Sequence, residues 1–230
     1  MTRSIQLRVP ASTANLGPGY DSLGMALSLY LTPGAISLDP SKNLISRTLL
    51  DTLRAAHTSL PADSVLSIHI DNPIPTGAVG LGSSGSAVVA GVVLANWAAQ
   101  LGWSRDKLLQ HCVAIEGHPD NVAPSLLGGF VASVMSGGAA QGICRGPSRA
   151  HGATSRHVTH VLGNPNVHGK GTHLTKQALG CLLDDVVHQP YRMHLIPGFQ
   201  QLKSALDTNP DVLGLCVSGA GPTRAHLLRT

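Results

Sequence analysis

Residues 80–95 read GLGSSGSAVVAGVVLA, a glycine- and serine-rich loop followed at once by an apolar run. The run predicts a long helix over about 84–100. Helix packing does not require the glycines, because glycine loses more conformational entropy on ordering than any other residue. One interpretation is a loop whose backbone amides approach a phosphate at the helix N-terminus, where amides are unpaired and the helix dipole is positive. The other is a glycine loop that serves packing alone, which is at least as common.

The loop does not fit two common phosphate-binding motifs. It matches neither G-x-x-x-x-G-K-[ST] nor the strand-coupled G-x-G-x-x-G, and no lysine stands where the first motif has one. A nucleotide-binding loop at this position therefore belongs to another class.

The composition argues against several classes of protein. Aromatic residues make up 3% of the 230 residues, so few stacking platforms exist for nucleic-acid bases. The net charge of +4 comes without a basic run. No stretch has the roughly 18 apolar residues that a membrane helix requires, and the N-terminus lacks a signal-peptide core. The four cysteines stand far apart, which indicates buried free thiols. We expect a cytoplasmic protein that binds neither nucleic acid nor membrane.

Periodicity places most of the other elements. Helices are predicted at 41–57, with Ser41 as the N-cap, and at 104–118, with Ser104 as the N-cap and Asp106 in the first turn. The segment between the second helix and residue 129 is predicted to be a turn and a short apolar segment. Alternating patterns predict strands at 4–10, 25–31, 64–71, from about 129 and from about 212.

Three further segments gather polar or small residues. Residues 116–129 read EGHPDNVAPSLLGG, which crowds a carboxylate suited to a metal and an imidazole and amide suited to a substrate into six positions. For Glu116 or His118 alone, a solvated helix end is the more common explanation. Residues 14–24, ANLGPGYDSLG, form a turn by themselves, and residues 218–223, SGAGPT, are ambiguous by themselves.

Taken together, these segments resemble the signature sequences of the GHMP kinases, which include galactokinase, homoserine kinase, mevalonate kinase and phosphomevalonate kinase. VPASTANLGPGYDSLG, IPTGAVGLGSSGSA, EGHPDNVAPSLLGG, HQPYRMHLIPG and GLCVSGAGPT are similar to homoserine kinases in particular. The resemblance implies an α+β fold, with an N-terminal domain like domain 2 of ribosomal protein S5 and a ferredoxin-like C-terminal domain that is incomplete here. It divides the chain into an N-terminal domain at 1–136, an aperiodic segment at 137–180 and a C-terminal remnant at 181–230.

The resemblance also implies an activity and a set of site residues. The reaction is the Mg²⁺-dependent transfer of a phosphoryl group from ATP to the side-chain hydroxyl of L-homoserine, in threonine biosynthesis, and the implied enzyme can be a homodimer. Mg²⁺ is assigned to Glu116 with Ser83 or Ser84. The residues implied to bind ATP are Asn43, Pro75, Gly77, Gly80, Leu81, Gly82, Ser83, Ser84 and Gly85. Those implied to bind homoserine are Asn15, Asp21, His118, Asp120 and Arg192, with Asp120 or Asn121 orienting the hydroxyl.

The segment 137–173 departs from the family pattern. It has no sustained period, and its glycine, histidine and arginine content offers little apolar surface to offset the entropy of ordering, so we expect a poorly ordered loop. Members of the family carry strands and a helix there. Two alternatives to an active homoserine kinase therefore stay open: a remnant that binds nucleotide without turnover, and a related kinase for another small alcohol.

Overall fold

The computed structural model describes residues 4–17, 19, 21–31, 39–60, 66, 68, 73–75, 80–136, 139–145, 183, 189–218 and 224–228. Its strands are β1 (Val9–Ala14), β2 (Leu23–Leu31), β3 (Phe130–Ser136), β4 (Ala139–Arg145), β5 (Val212–Val217) and β6 (Arg224–Leu228). Its helices are α1 (Leu44–Ala55), α2 (Ser83–Ala98), α3 (Arg105–Glu116), α4 (Pro119–Leu127), α5 (Gln189–Arg192) and α6 (Phe199–Asp207), with a 3₁₀ turn at Met193–Leu195. Antiparallel sheets beside helices confirm the predicted α+β class.

The larger sheet has four antiparallel strands in the order β1-β2-β3-β4. Strand β4 lies inside the segment expected to be a poorly ordered loop, so that expectation is wrong for Ala139–Arg145. Its backbone pairs with β3, which supplies the regularity that the side-chain pattern lacks. The N-terminal sheet therefore continues past the predicted boundary at residue 136. Residues 146–180 lie outside the described part of the chain.

Helix α2 is the centre of the main core. Its residues are apolar on every side, and Val88, Val89 and Val92 are almost fully buried. A helix without a polar face has to be covered all round, and here β1, α1, α3 and α4 pack against it. The small residue Gly91 allows α1 to approach closely, since a Cβ there would lie 2.8 Å from the carbonyl oxygen of Ile45. The predicted long helix is thus confirmed.

Helix caps explain where the neighbouring helices begin. The Ser104 hydroxyl accepts a hydrogen bond from the Lys107 amide, as predicted for the start of α3. At α1 the prediction of Ser41 is wrong, because Asn43 is the cap and accepts from the amides of Ile45 and Ser46. The Ser41 hydroxyl instead donates to Asp39.

The segment after α3 also differs from the prediction. Residues expected to form a turn and a short apolar segment form the helix α4, in which Pro119 occupies the first position. Proline suits that position because its missing N–H would have no partner there and its φ is already helical. The predicted strand at 4–10 is likewise shifted, to Val9–Ala14.

The C-terminal part of the described chain combines α5, α6 and the two-stranded sheet of β5 and β6. A small core of Ile196, Phe199, Leu215 and Val217 holds α6 against β5. Cys112 and Cys216 are buried free thiols, as predicted for the cysteines. Among the helices that the structure describes, none is both long and apolar enough to cross a bilayer.

Candidate active site

The glycine loop meets the N-terminus of α2 in a left-handed backbone conformation. Gly80 has φ of +75° and Gly82, the N-cap of α2, has φ of +63°, both in the region that favours glycine. The Leu81 carbonyl accepts a hydrogen bond of 3.2 Å from the Ser12 amide, which ties the loop to β1. The amides of Ser83 and Ser84, at the start of α2, are therefore held at a positive helix end, where an anion is stabilised.

Gly82 is required by space as well as by φ. A Cβ on this residue would lie 2.1 Å from Ser12 Oγ, 2.6 Å from Asn121 Oδ1 and 2.9 Å from the Ser12 carbonyl oxygen. Because those distances are shorter than any van der Waals contact, no other residue fits without moving β1 or α4. The loop, β1 and α4 thus converge on one glycine.

Glu116 is the last residue of α3 and faces the start of α2. The Ser84 hydroxyl donates to Glu116 Oε2 at 3.2 Å. Burial raises the pKa of the Glu116 carboxyl, while the hydrogen bond from Ser84 and the charge of His118 act in the opposite direction. This half-buried carboxylate oxygen beside a hydroxyl suits a hard divalent cation.

The start of α4 presents a buried carboxylate. Asp120 is fully buried, and its Oδ1 is in close contact with His118 Nδ1. The hydrogen bond to Asp120 is the main reason why the pKa of His118 is raised. Asp120 Oδ2 has no hydrogen-bond partner within the described chain. A buried carboxylate oxygen without a partner is costly unless another group binds it, which points to a ligand.

Two small structural features bring Asp120 to this position. Pro124 has no N–H and cannot donate the helical hydrogen bond to the carbonyl of Asp120, four residues earlier. That carbonyl lies against β2 at Gly24, where a Cβ would be only 1.8 Å from the oxygen. Gly24 therefore allows α4 to begin directly against the sheet.

The loop between β1 and β2 closes the other side of the buried carboxylate. Asn15 and Asp21 both adopt left-handed conformations, with φ of 55° and 54°, and the Asn15 Oδ1 accepts from the Asp21 amide at 2.7 Å. One carboxylate oxygen of Asp21, one ring nitrogen of His118 and one carboxylate oxygen of Asp120 lie within 4.8 Å of one another. Four of the residues predicted to bind homoserine are thus gathered by the fold.

Ser218, directly after β5, connects the C-terminal part to the glycine loop. Its hydroxyl donates to the Gly80 carbonyl and is 2.7 Å from the Thr13 hydroxyl. One residue earlier, the Val217 amide donates to Gln189 Oε1 at 3.0 Å, which fixes the beginning of α5. Arg192 ends that helix and is half-buried. Its contact with a substrate carboxylate stays a prediction.

The other predicted nucleotide residues are less closely tied to this cluster. Asn43 caps α1, and its placement near adenine stays a prediction. Pro75 is exposed, and Gly77 lies outside the described residues. Sequence reasoning did not single out Ser12, Thr13, Gly24 and Ser218 as site residues. The available signal was their position inside the quoted segments 9–24 and 214–223, where polar or small residues interrupt buried strands.

Comparisons with known proteins agree on one family. The family described as GHMP kinases N terminal domain matches residues 43–129. Homoserine kinase from Schizosaccharomyces pombe is 34% identical over 295 positions, covering 96% of this chain and 87% of the relative. Homoserine kinase from Saccharomyces cerevisiae is 33% identical, covering 97% of this chain and 88% of the relative. The first alignment has more positions than this chain has residues, so the relative contains segments that are absent here.

A solved structure shows the same similarity. A candidate homoserine kinase from Listeria monocytogenes superimposes with a TM-score of 0.68 and 30% identity, covering 98% of this chain and 87% of the other. The mevalonate kinase of L. major, at 15% identity and a TM-score of 0.54, shows the fold alone. The GHMP kinase fold implied by the sequence segments is confirmed.

Proposed function

We propose that this chain, which belongs to the homoserine kinase family of GHMP kinases, transfers the γ-phosphoryl group of ATP to the side-chain hydroxyl of L-homoserine. One observation carries the proposal. The N-terminus of α2, where an anion is favoured, packs against Asn121, and the preceding residue, Asp120, has a buried carboxylate oxygen without a hydrogen-bond partner in the described chain. A phosphate donor and a hydroxyl acceptor can therefore meet between them.

The triphosphate of ATP is proposed to lie on the glycine loop. The left-handed Gly80 and Gly82 leave the backbone bare, so amides of the loop and of the first turn of α2 can approach phosphate oxygens. The Ser218 bond to the Gly80 carbonyl and the Ser12 bond to the Leu81 carbonyl hold the loop in this shape through contacts within the protein. Such preorganisation reduces the entropy cost of ordering the loop when ATP binds.

Mg²⁺ is proposed to be held by Glu116 and Ser84. Both offer oxygen atoms, the class of ligand that Mg²⁺ takes. Burial disfavours the charged form of the Glu116 carboxyl, and a bound cation would stabilise that form. Ser84, rather than Ser83, is the partner because its hydroxyl is the one that contacts Glu116. When bound, the ion would neutralise charge on the phosphate oxygens.

Homoserine is proposed to bind against Asp120, with its hydroxyl directed to Asp120 and Asn121. Phosphoryl transfer requires mainly positioning and charge neutralisation, so an oriented hydroxyl and a carboxylate that accepts its proton are sufficient. Asn15, Asp21 and His118 surround the same carboxylate and are proposed to fix the rest of the substrate. Arg192 is proposed to bind the substrate carboxylate, for which a planar guanidinium is well shaped.

The role in the cell is part of the same proposal. The product would be O-phospho-L-homoserine, an intermediate of threonine biosynthesis formed in the cytoplasm. The family of the relatives supports this role. A homodimer remains a prediction from the resemblance.

The purified full chain should release ADP from ATP in the presence of L-homoserine. We expect little release with L-serine, which is one methylene shorter, because the hydroxyl would then fall short of the phosphate. A coupled ADP assay and phosphorus NMR of the product measure this. ATP binding without turnover on either alcohol would instead identify a non-catalytic remnant, and turnover on another alcohol alone would identify a different kinase.

Replacing Glu116 by Gln should lower the Mg²⁺-dependent affinity for ATP by at least about tenfold. The amide keeps the shape and the contact with Ser84 but loses the charge that holds the ion. Titration calorimetry with ATP, with and without Mg²⁺, measures the effect.

The comparison without metal is the internal control for Glu116→Gln, because affinity for metal-free ATP should change little. Ser84→Ala should raise the Mg²⁺ concentration needed for half-maximal ATP binding more than Ser83→Ala does, since the Ser84 hydroxyl contacts Glu116. Equal losses of affinity with and without Mg²⁺ would show that Glu116 has a structural role.

A further inference from the structure

Ser12 lies where three parts of the site meet. It is in the middle of β1 and fully buried. Its amide donates to the Leu81 carbonyl of the glycine loop, and its hydroxyl donates to Asn121 Oδ1 at 2.9 Å. A polar residue that is buried in a strand needs such partners. The two bonds reach two different functional segments.

The hydroxyl of Ser12 determines which way the Asn121 amide faces. Asn121 Nδ2 donates to Asp120 Oδ1, a long contact of 3.4 Å. In this bond the amide nitrogen donates and the carboxylate oxygen accepts, so the Asn121 amide turns its nitrogen towards Asp120 and its oxygen away. The oxygen then needs a donor, and the Ser12 hydroxyl is that donor. Two bonds of opposite polarity therefore fix one orientation of the amide.

The packing around Ser12 leaves the amide little other freedom. The α-carbon of Gly82 faces both atoms of this bond, since a Cβ there would overlap Ser12 Oγ and Asn121 Oδ1. On the side of α2, a Cβ on Gly85 would lie 2.9 Å from Asn121 Cβ. The N-terminus of α2 thus packs against this partly buried bond.

We propose that Ser12 is a positioning residue for phosphoryl transfer, because its hydroxyl holds the Asn121 amide with the nitrogen towards the Asp120 carboxylate. This inference rests on the proposed function, in which Asp120 and Asn121 orient the homoserine hydroxyl. Ser12 acts through Asn121 and contacts no reacting atom. Its backbone amide separately holds the glycine loop, and that bond does not depend on the side chain.

The kinetic test is Ser12→Ala in the full chain. The loss of one hydrogen bond to a site residue should reduce kcat by about tenfold. The KM for ATP should stay within about twofold of the wild-type value, because alanine keeps the backbone bond to Leu81. A purely structural role would instead move kcat and both KM values together, whatever the loss of thermal stability.

Ser86→Ala is the matched control. Its hydroxyl is also buried between α2 and β1, where it donates to the carbonyls of Pro10 and Gly82, but no bond described for it reaches Asn121. The Gly82 carbonyl keeps its bond from the Ser86 amide in the alanine variant. We expect Ser86→Ala to lower thermal stability about as much as Ser12→Ala does, with kcat close to that of the wild type. A tenfold loss of kcat in both variants would overturn the proposal.

A spectroscopic test is independent of turnover. In protein labelled with ¹⁵N-asparagine, the Asn121 side-chain amide pair is identified by its absence in Asn121→Asp. This pair should shift in Ser12→Ala and stay in place in Ser86→Ala. If the wild-type chain releases no ADP, the proposed function fails, but this measurement still decides whether the Ser12 hydroxyl holds the Asn121 amide. An unshifted Asn121 pair in Ser12→Ala overturns the proposal whatever the kinetics show.

Discussion

Replacing Gly82 by Val should abolish ATP binding while leaving the helix content of the protein unchanged. The expected loss of affinity is at least about 100-fold, because a displacement of about 1 Å in a positioned group can cost that much. The new Cβ would lie 2.1 Å from Ser12 Oγ and 2.9 Å from the Ser12 carbonyl oxygen, and the carbonyl belongs to a paired strand that cannot move away. The loop therefore has to leave its phosphate-binding shape. Equilibrium binding of ATP and far-UV circular dichroism measure the two effects.

Gly102→Val is the matched control for this variant. Gly102 has nearly the same backbone conformation, with φ of +66°, but no atom lies within 4 Å of the position of its Cβ. Both variants incur the roughly 1–2 kcal/mol that a left-handed conformation costs an ordinary residue. Only Gly82→Val adds the overlap with β1. Normal ATP affinity in Gly82→Val would show that the glycine loop is not the triphosphate site.

Replacing Asp120 by Asn should reduce kcat with L-homoserine by about 10²- to 10³-fold, within the range usual for the loss of a positioned acid or base. Asparagine has nearly the same shape, but its amide cannot accept the proton of the hydroxyl. It would also place a donor near His118 Nδ1 or at the position of the free Oδ2. Affinity for ATP should change little, because the triphosphate is proposed to contact α2. Steady-state kinetics with both substrates measures this.

Asp106→Asn is the control for the helix position of Asp120. Asp106 is the second residue of α3, as Asp120 is of α4, and it is exposed. Loss of the favourable interaction with the helix dipole is therefore common to both variants. Activity close to that of the wild type in Asp106→Asn and a large loss in Asp120→Asn would assign the loss to the site. An Asp120→Asn enzyme with unchanged kcat would remove Asp120 from the proposed mechanism.

Elements defined by local signals were predictable from the sequence. Helix α3 was predicted within two residues at each end because its cap is local: the Ser104 hydroxyl binds an amide three residues later. Helix α1 shows the limit of such signals. Ser41 and Asn43 are both good caps, and the choice depended on Asp39, which engages the Ser41 hydroxyl.

Elements that depend on distant partners were not predictable. Strand β4 has no regular side-chain pattern and exists through its pairing with β3. Strand β1 was expected to end at Pro10, because Ser12 and Thr13 break the alternation of apolar and polar residues. Those two residues are buried in the strand since Asn121 and Ser218 provide partners for their hydroxyls.

The sequence by itself determined the chemistry available to this protein: a glycine loop before an apolar helix, and a carboxylate, imidazole and amide at 116–121. Those features are local, because a helix cap, a turn and an apolar run are decided by neighbouring residues. Only the tertiary structure decided which groups meet. Ser84 lies 32 residues from Glu116, Ser12 lies 109 from Asn121, and Ser218 lies 138 from Gly80. No local rule relates such residues, because their contact is fixed by how α2 and α4 pack against β1 and by where β5 ends.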